Sequence, residues 1–188
     1  MRRGFKAEAE RLAGEWRERL GCRADEPVPL DRLAREIGVE IRSAAELVPL
    51  AKLEELKALQ QDAFSGGTFK RRDGGRVIVF NPLHNEGRQN SDIAHELAHL
   101  LLGHNVRTVE VVGNMNFITC DAEQEEEADW LGGCLLLPRE ILVKAAFAGK
   151  DATHIAEQYA TSEAMAKFRL NASGVLVMVG RAQAKRRR

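Results

Sequence analysis

The chain has 188 residues and a mass of 20.9 kDa, and at about 150 residues per domain this length predicts one domain. Hydrophobic residues make up 44% of the sequence and charged residues 30%, and these globular values exclude disordered and collagen-like classes. The 28 basic and 28 acidic side chains balance, so no net charge draws the protein to nucleic acid or to an anionic membrane.

The first part of the chain predicts helices followed by a small hairpin. Apolar residues recur at three- and four-residue steps, as in amphipathic helices, over residues 5–20, 30–37 and 46–60. The pattern then becomes that of two strands, at 64–69 and 76–80, joined by a turn at 73–75 and ended by Pro82. We expect these strands to pair as an antiparallel hairpin.

The middle of the chain predicts one strong helix and a weakly patterned segment. The helix is expected over about 91–102, with Asn90, Ser91 or Asp92 as its cap and Gly103 at its end. Residues 105–119 are expected to be irregular or weakly extended.

The last part of the chain predicts further helices. They are expected over about 121–137, ended by Pro138, and from about 139, 152 and 162. The apolar run at 175–179 suggests a strand or a buried tail. This order predicts one compact α+β domain with a helical C-terminal region.

Three features bear on where the protein acts. No stretch approaches 18 uninterrupted apolar residues, so no membrane span is expected. The first residues carry charges at every third or fourth position and lack the apolar core of a signal peptide. The cysteines, Cys22, Cys120 and Cys134, are odd in number and form no C-x-x-C pair, which argues against a disulfide scaffold. We therefore expect a cytoplasmic protein.

The pentad His95-Glu96-Leu97-Ala98-His99 is the strongest chemical signal in the sequence. Histidines four residues apart lie on one helical face, about 6 Å from each other, and can bind one metal ion. Glu96 projects beside them and can act as a general base toward a water molecule on the metal. The alternative is a pair of core histidines satisfied by hydrogen bonds.

A third protein ligand is needed, and we expect it to be Glu125. The extended pentad of metzincins is excluded, because Leu102 and Asn105 stand where that class needs Gly and His. Asp129 follows Glu125 by four residues and could accept the free N–H of a ligating histidine. The alternative for Glu125 is a surface glutamate in an acidic run.

Other residues of the same helix support this choice. Gly132 and Gly133 are costly inside a helix, and a close approach to the histidine helix would explain them. We expect Glu123, Glu126 and Glu127 to be solvated, because they project more toward the sides of the helix.

Two histidines and a carboxylate with an open position form the ligand set of hydrolytic metal sites. Zn²⁺ is favoured, and Mn²⁺ also suits these ligands. The expected reaction is hydrolysis of a peptide bond with Glu96 as the base. His104, His154 and Tyr159 are candidates for stabilising the oxyanion, but each residue is more commonly a packing or surface residue, and none is assigned.

The stretch NSDIAHELAHLLLGH (90–104), followed by EEEADWLGGCLLLP (125–138), resembles the ImmA/IrrE family of bacterial metallopeptidases. The segment PVPLDRLAREIGVEI (27–41) and the hairpin are similar to the family's N-terminal half. The resemblance implies a gluzincin-like, zincin-like domain over 1–138. A helical, helix-turn-helix-like region over 139–188, ending in a basic tail, would pack on it.

Carried over position by position, the resemblance implies His95, His99 and Glu125 as ligands, Glu96 as general base and Asp129 behind the ligands. Family members typically cut a helix-turn-helix repressor of the XRE type and so release transcription, often in stress responses. The resemblance therefore implies a repressor as partner. IrrE-type members carry a further C-terminal sensor domain, for which 188 residues are expected to leave no room.

Residues 151–171 have the pattern of a helix-turn-helix, with Lys167 and Arg169 on the second helix. A DNA-reading helix would need a basic outer face, which these few bases do not supply. We expect the segment to pack on the peptidase or to hold the repressor, the KRRR tail to be solvated, and no direct binding to nucleic acid.

Three functions remain open from the sequence. The first is a cytosolic zinc endopeptidase that cuts a transcription regulator, with strand 76–80 offering its edge to an extended substrate. The second is a non-enzymatic regulator that binds DNA or a repressor through residues 151–171 and has a structural metal. The third is an antitoxin-like module that binds its partner without cutting it.

Overall fold

The computed structural model describes residues 1–60, 64–71, 73–104, 108–112, 115–119 and 121–186. The helices in these ranges are α1 (Phe5–Arg19), α2 (Leu30–Glu36), α3 (Leu50–Leu59), α4 (Glu86–Leu102), α5 (Ala122–Leu136), α6 (Arg139–Phe147), α7 (Ala152–Tyr159), α8 (Glu163–Ala172) and α9 (Val175–Arg186). The strands are β1 (Val39–Ser43), β2 (Gly66–Lys70), β3 (Arg76–Phe80), β4 (Thr108–Val112) and β5 (Met115–Thr119). A short 3-10 turn, Ala44–Glu46, lies between β1 and α3. The α+β class is confirmed.

Among the described residues, three strands form a mixed sheet in the order β1-β3-β2. The hairpin is confirmed, since β2 pairs antiparallel with β3, with Thr68 opposite Ile78. The sheet is not wholly antiparallel, because β1 adds parallel to β3, with Ile41 opposite Ile78. The expectation that strand 76–80 offers a free edge is therefore wrong: β3 is paired on both sides, and β2 is an outer strand.

The segment at 105–119 is more regular than its composition predicts. β4 and β5 pair antiparallel, with Thr108 opposite Thr119. Residues 105–107, 113–114 and 120, and so Asn105 and Cys120, lie outside the described residues, as do the last two positions of the KRRR tail. Cys22 and Cys134 are free thiols.

Helices α4 and α5 pack closely against each other in the core, where they bury Leu97 of α4 and Leu131 of α5. A Cβ atom on Gly132 would lie 3.1 Å from the backbone of Ala94 and from the amide nitrogen of His95. The predicted close approach of the two helices is thus confirmed at Gly132. Gly133 instead makes room for α8, because a Cβ there would meet Arg169.

The C-terminal end of α5 is held by two buried arginines. Arg17 donates to the carbonyl of Cys134 and, at 3.2 Å, to that of Leu135. Arg169 donates to the carbonyl of Leu137 at 3.1 Å and to Glu10 Oε1 at 2.7 Å. Positive charge at a helix C-terminus satisfies carbonyls that have no partner within the helix. α1 and α8 therefore fix the position of α5.

Helix α4 begins earlier than the sequence pattern predicts. Asn85 caps it by accepting a hydrogen bond from the Arg88 amide at 2.9 Å, so the predicted caps at 90–92 are wrong. Asn90 and Ser91 lie inside the helix, where both contact the turn between α7 and α8. The Asn90 side chain donates to the Ala160 carbonyl, and the Ser162 amide donates to Ser91 Oγ, both at 2.9 Å.

The apolar run at 175–179 is the start of helix α9, so the expectation of a strand or buried tail is wrong. Val175 and Val179 are buried, whereas Leu176 and Val177 are exposed. This burial repeats every four residues and not every two, which is the period of a helix. No helix in the described ranges is both long and apolar enough to span a membrane. The division at residue 138 stays a prediction.

Candidate metal centre

Helices α4 and α5 bring His95, His99 and Glu125 together as the sequence predicts. One potential ligand atom from each of these side chains lies within 4.8 Å of the others. The two Nε2 atoms of the histidines are 3.0 Å apart. Glu125 Oε2 lies 3.2 Å from His95 Nε2, and Glu125 Oε1 lies 3.5 Å from His99 Nε2. All three side chains thus face one point between the helices.

The outward nitrogen of His95 contacts Asp129, as the sequence predicts. His95 Nδ1 lies 2.8 Å from Asp129 Oδ1. A carboxylate in this position fixes the ring orientation and keeps the proton on Nδ1, which leaves the Nε2 lone pair for a metal ion.

The two histidines have opposite pKa shifts. Burial alone would lower the pKa of His95, but hydrogen bonds to Asp129 and Glu125 outweigh it and raise the pKa to about 9. Burial and the neighbouring charge on His95 lower the pKa of His99 to about 4. A metal ion at His95 Nε2 must therefore displace a proton.

Glu96 lies beside the three ligands and is held by the sheet. Its side chain is buried, with 6% of the residue exposed. The Thr68 hydroxyl of β2 donates to Glu96 Oε2 at 2.7 Å, so the outer strand fixes the orientation of the carboxylate. The sequence analysis did not identify Thr68, because the contact depends on how β2 packs against α4.

His104 and Glu127 lie behind His99, and the sequence analysis missed both roles. His99 Nδ1 is 2.9 Å from His104 Nδ1, and His104 Nε2 is 3.4 Å from Glu127 Oε2. The expectation that Glu127 is solvated is wrong, since only 4% of the residue is exposed. It is buried because Arg2 covers it, with the Arg2 backbone N and Nε each 3.0 Å from Glu127 Oε1.

Burial would raise the pKa of Glu127, but the hydrogen bonds from Arg2 outweigh this effect and lower the pKa below 4.5. The carboxylate behind His104 therefore keeps its charge at neutral pH. Glu123 and Glu126 are more than half exposed, as the sequence predicts.

A cavity of about 440 Å³ opens at these residues. His95, Glu96 and Glu125 contribute to its lining, and so do Met165 and Phe168 of α8. The remaining lining residues come from β2 and the residue before it, from α4 and α5, and from α8 and its N-cap: Ser65, Gly66, Arg88, Ser91, Asp92, Asp129, Ser162 and Ala164. The helix-turn-helix-like segment thus forms part of the wall around the ligands.

The residues fit a divalent metal ion. Two imidazole nitrogens and a carboxylate are the donors that Zn²⁺ prefers in hydrolytic sites. Both outward Nδ1 atoms have partners, Asp129 and His104, so both Nε2 atoms can face the ion. The donor set also suits Mn²⁺.

The other two residues considered for the oxyanion do not line this cavity. His154 is exposed and contacts Asp151, which caps α7. Tyr159 packs beside the apolar core of the C-terminal helices. His104 is engaged by His99 and Glu127.

The family comparison agrees with this geometry. No curated protein matches the chain significantly. The Peptidase_M78 family, described as the IrrE N-terminal-like domain, matches residues 56–171. This range is more than half of the chain and contains α4 and α5, and with them His95, Glu96, His99 and Glu125. The chain therefore belongs to the Peptidase_M78 family, and its domain is metallopeptidase-like.

Proposed function

We propose that the protein is a zinc-dependent endopeptidase. The observation that carries this proposal is the meeting of His95, His99 and Glu125 at one point, with the buried carboxylate of Glu96 beside them. His95, His99 and Glu125 would hold the metal. A bound zinc ion would supply Lewis acidity toward a peptide carbonyl and toward water.

Glu96 is the general base in this proposal. Its carboxylate takes a proton from the attacking water molecule and delivers it to the leaving amine nitrogen. The Thr68 hydroxyl holds one carboxylate oxygen in place, so the group does not have to reorient during proton transfer. Asp129 holds the His95 ring in the orientation that a metal ligand needs.

The outer strand β2 supports an extended protein segment as the substrate. It lies next to α4, and an extended peptide can add to the outer edge of a sheet through backbone hydrogen bonds. We propose that the substrate is a helix-turn-helix repressor of the XRE type, which implies that cleavage in the cytosol releases transcription. The resemblance of the two helix motifs to ImmA/IrrE peptidases is the basis for this choice.

The first test is the metal content of the full chain, purified without chelator or a histidine tag and measured by elemental mass spectrometry. We expect about one zinc ion per chain. A value near zero that persists after zinc is added and excess removed would contradict the proposal. A non-enzymatic regulator or an antitoxin-like partner would then be favoured.

The second test separates the ligand from the base. Glu96→Gln should retain zinc but lose cleavage of a repressor by about 100-fold or more, because general-base catalysis contributes 10²–10⁴. Glu125→Gln should lose both zinc and activity. Glu126→Gln, an exposed neighbour on α5, is the matched control and should behave as the wild type. Full activity of Glu96→Gln would contradict its role as base.

A further inference from the structure

The end of helix α4 folds His104 back onto His99. Gly103 adopts a left-handed conformation with φ 65°, which favours glycine because it has no Cβ. This turn lets the His104 amide donate to the His99 carbonyl at 3.0 Å, a bond typical of a Schellman helix end. The two rings then meet with their Nδ1 atoms 2.9 Å apart.

The hydrogen bonds in this cluster have one consistent direction. If His99 offers its Nε2 lone pair to a metal ion, its Nδ1 carries the proton. That N–H must donate to His104 Nδ1, so His104 carries its own proton on Nε2. This second N–H faces Glu127 Oε2 at the longer distance of 3.4 Å. Both nitrogens of His104 are thus engaged, and neither is left to act as a ligand.

The end of this chain of contacts is a fixed, buried acceptor. Glu127 is 4% exposed and has a hydrogen bond from the Arg2 backbone and another from its guanidinium, both at 3.0 Å. Its carboxylate therefore has little freedom to turn away from His104. The Nδ1 atom of His95 is supported directly by Asp129, whereas the Nδ1 atom of His99 is linked to the carboxylate of Glu127 through a second imidazole, that of His104.

We propose that His104 and Glu127 are positioning residues that hold His99 in the tautomer and orientation that bind the metal. The proposal rests on the proposed function of His99 as a ligand. A chain of two imidazoles and a carboxylate acts here as the single carboxylate does behind His95. His104 and Glu127 touch neither substrate nor metal, and they act through His99.

The test compares two substitutions at His104 by the zinc dissociation constant of the full chain, measured in competition with a chromophoric chelator. His104→Leu removes the acceptor for the His99 N–H. His104→Asn keeps an acceptor, because Asn Oδ1 occupies the position of His Nδ1. We expect roughly 10–100-fold weaker zinc binding for His104→Leu and a clearly smaller loss for His104→Asn, which keeps the acceptor for His99 but not the contact with Glu127. His154→Leu, at an exposed histidine, is the matched control and should not change the affinity.

The absorption spectrum of the cobalt-substituted protein is a second measurement, because it reports the ligand field and not the stability of the fold. It should change in His104→Leu and be restored in His104→Asn. Unchanged affinity in His104→Leu, or equal weakening in both variants, would overturn the proposal. A wild-type chain that binds no zinc would instead overturn the proposed function.

Glu127→Gln tests the carboxylate independently of the imidazole. It should weaken zinc binding, since the buried charge is lost, while Glu126→Gln on the same helix should not. If melting curves show that His104→Leu does not fold without metal, this pair of variants decides the question. Equal zinc affinity of Glu127→Gln and Glu126→Gln would then overturn the proposal.

Discussion

Thr68 lies outside the candidate metal centre, and its contact with Glu96 bears directly on the proposed reaction. Its hydroxyl donates to Glu96 Oε2 at 2.7 Å, and it belongs to a different element from every ligand. The hydrogen bond selects one orientation of a carboxylate that is otherwise surrounded by protein. The outer strand thereby contributes a side chain to the catalytic geometry as well as a backbone edge.

We expect Thr68→Val to lower kcat by about tenfold or more, because a hydrogen bond to a charged group contributes about 1.5–3 kcal/mol and 1.4 kcal/mol is tenfold in rate. The zinc content should not change, since Thr68 contacts no ligand atom of the cluster. Thr68→Ser keeps the hydroxyl and is the control. Steady-state cleavage of a purified repressor checks this, and equal rates for the two variants would contradict it.

At the scale of elements, the distance between α4 and α5 determines whether the ligands can meet. Two of the proposed ligands come from α4 and the third from α5, and the two helices approach each other closely at Gly132. Its missing side chain lets the backbone at Ala94 and His95 lie within 3.1 Å of where a Cβ would be. One glycine on α5 thus controls the position of Glu125 relative to the histidines.

Two glycine substitutions should therefore have opposite effects. Gly132→Ala should lower the free energy of unfolding by about 1–3 kcal/mol, as overpacking does, despite the better helix propensity of alanine. Gly14→Ala should raise it by about 0.5–1 kcal/mol, because nothing lies within 4 Å of a Cβ at Gly14 in the interior of α1. Urea unfolding of both variants tests this expectation. A stabilising Gly132→Ala would show that the helices do not pack as described.

At the scale of the whole molecule, the C-terminal helices and the metal-site helices share one core. Arg169 of α8 is completely buried and joins Glu10 of α1 to the Leu137 carbonyl after α5. A side chain in this position cannot reach a DNA duplex. Lys167 and Arg169 are the two basic residues that the sequence places on the second helix of the helix-turn-helix pattern, and of these two only Lys167 is exposed.

We expect Arg169→Met to lower the free energy of unfolding by at least about 2 kcal/mol, because it removes charged hydrogen bonds from a buried position. Lys167→Met should change it by no more than about 0.5 kcal/mol, as exposed substitutions do. Urea unfolding measures both values. Similar small changes in both variants, with loss of DNA binding, would favour the regulator over the peptidase.

The residues of the candidate metal centre could be selected from the sequence because each of the two helices carries its share of them within a few residues. His95, Glu96 and His99 lie within one and a half turns of one helix, and the spacing of Glu125 and Asp129 places them together on the next one. The α+β class could also be predicted, because segments with the helical spacing of apolar residues come before and after segments with the strand spacing.

The supporting residues were not predictable from spacing alone. Glu127 is covered by Arg2, which lies near the start of the chain and far from α5 in sequence. His104 faces His99 because Gly103 adopts a left-handed turn. The sequence predicts that Gly103 ends the helix, but it does not predict where the next residue points. β1 was missed because its parallel partner β3 lies more than thirty residues away, and parallel pairing leaves no turn signal in the sequence.

Some residues of helix α8 are buried in the core, and others line the cavity beside the candidate ligands. Arg169 and Met165 are buried, and Met165 lines the cavity beside the candidate ligands together with Ala164 and Phe168. Ala164 is exposed, so replacing it reshapes the cavity wall without removing a buried contact. Phe168, in contrast, also packs edge to face against Trp130 of α5, with ring centroids 5.5 Å apart. Under the proposed function this cavity holds the substrate, and a library at Ala164 is then the natural route to altered selectivity, because it leaves the three ligands of the candidate metal centre in place.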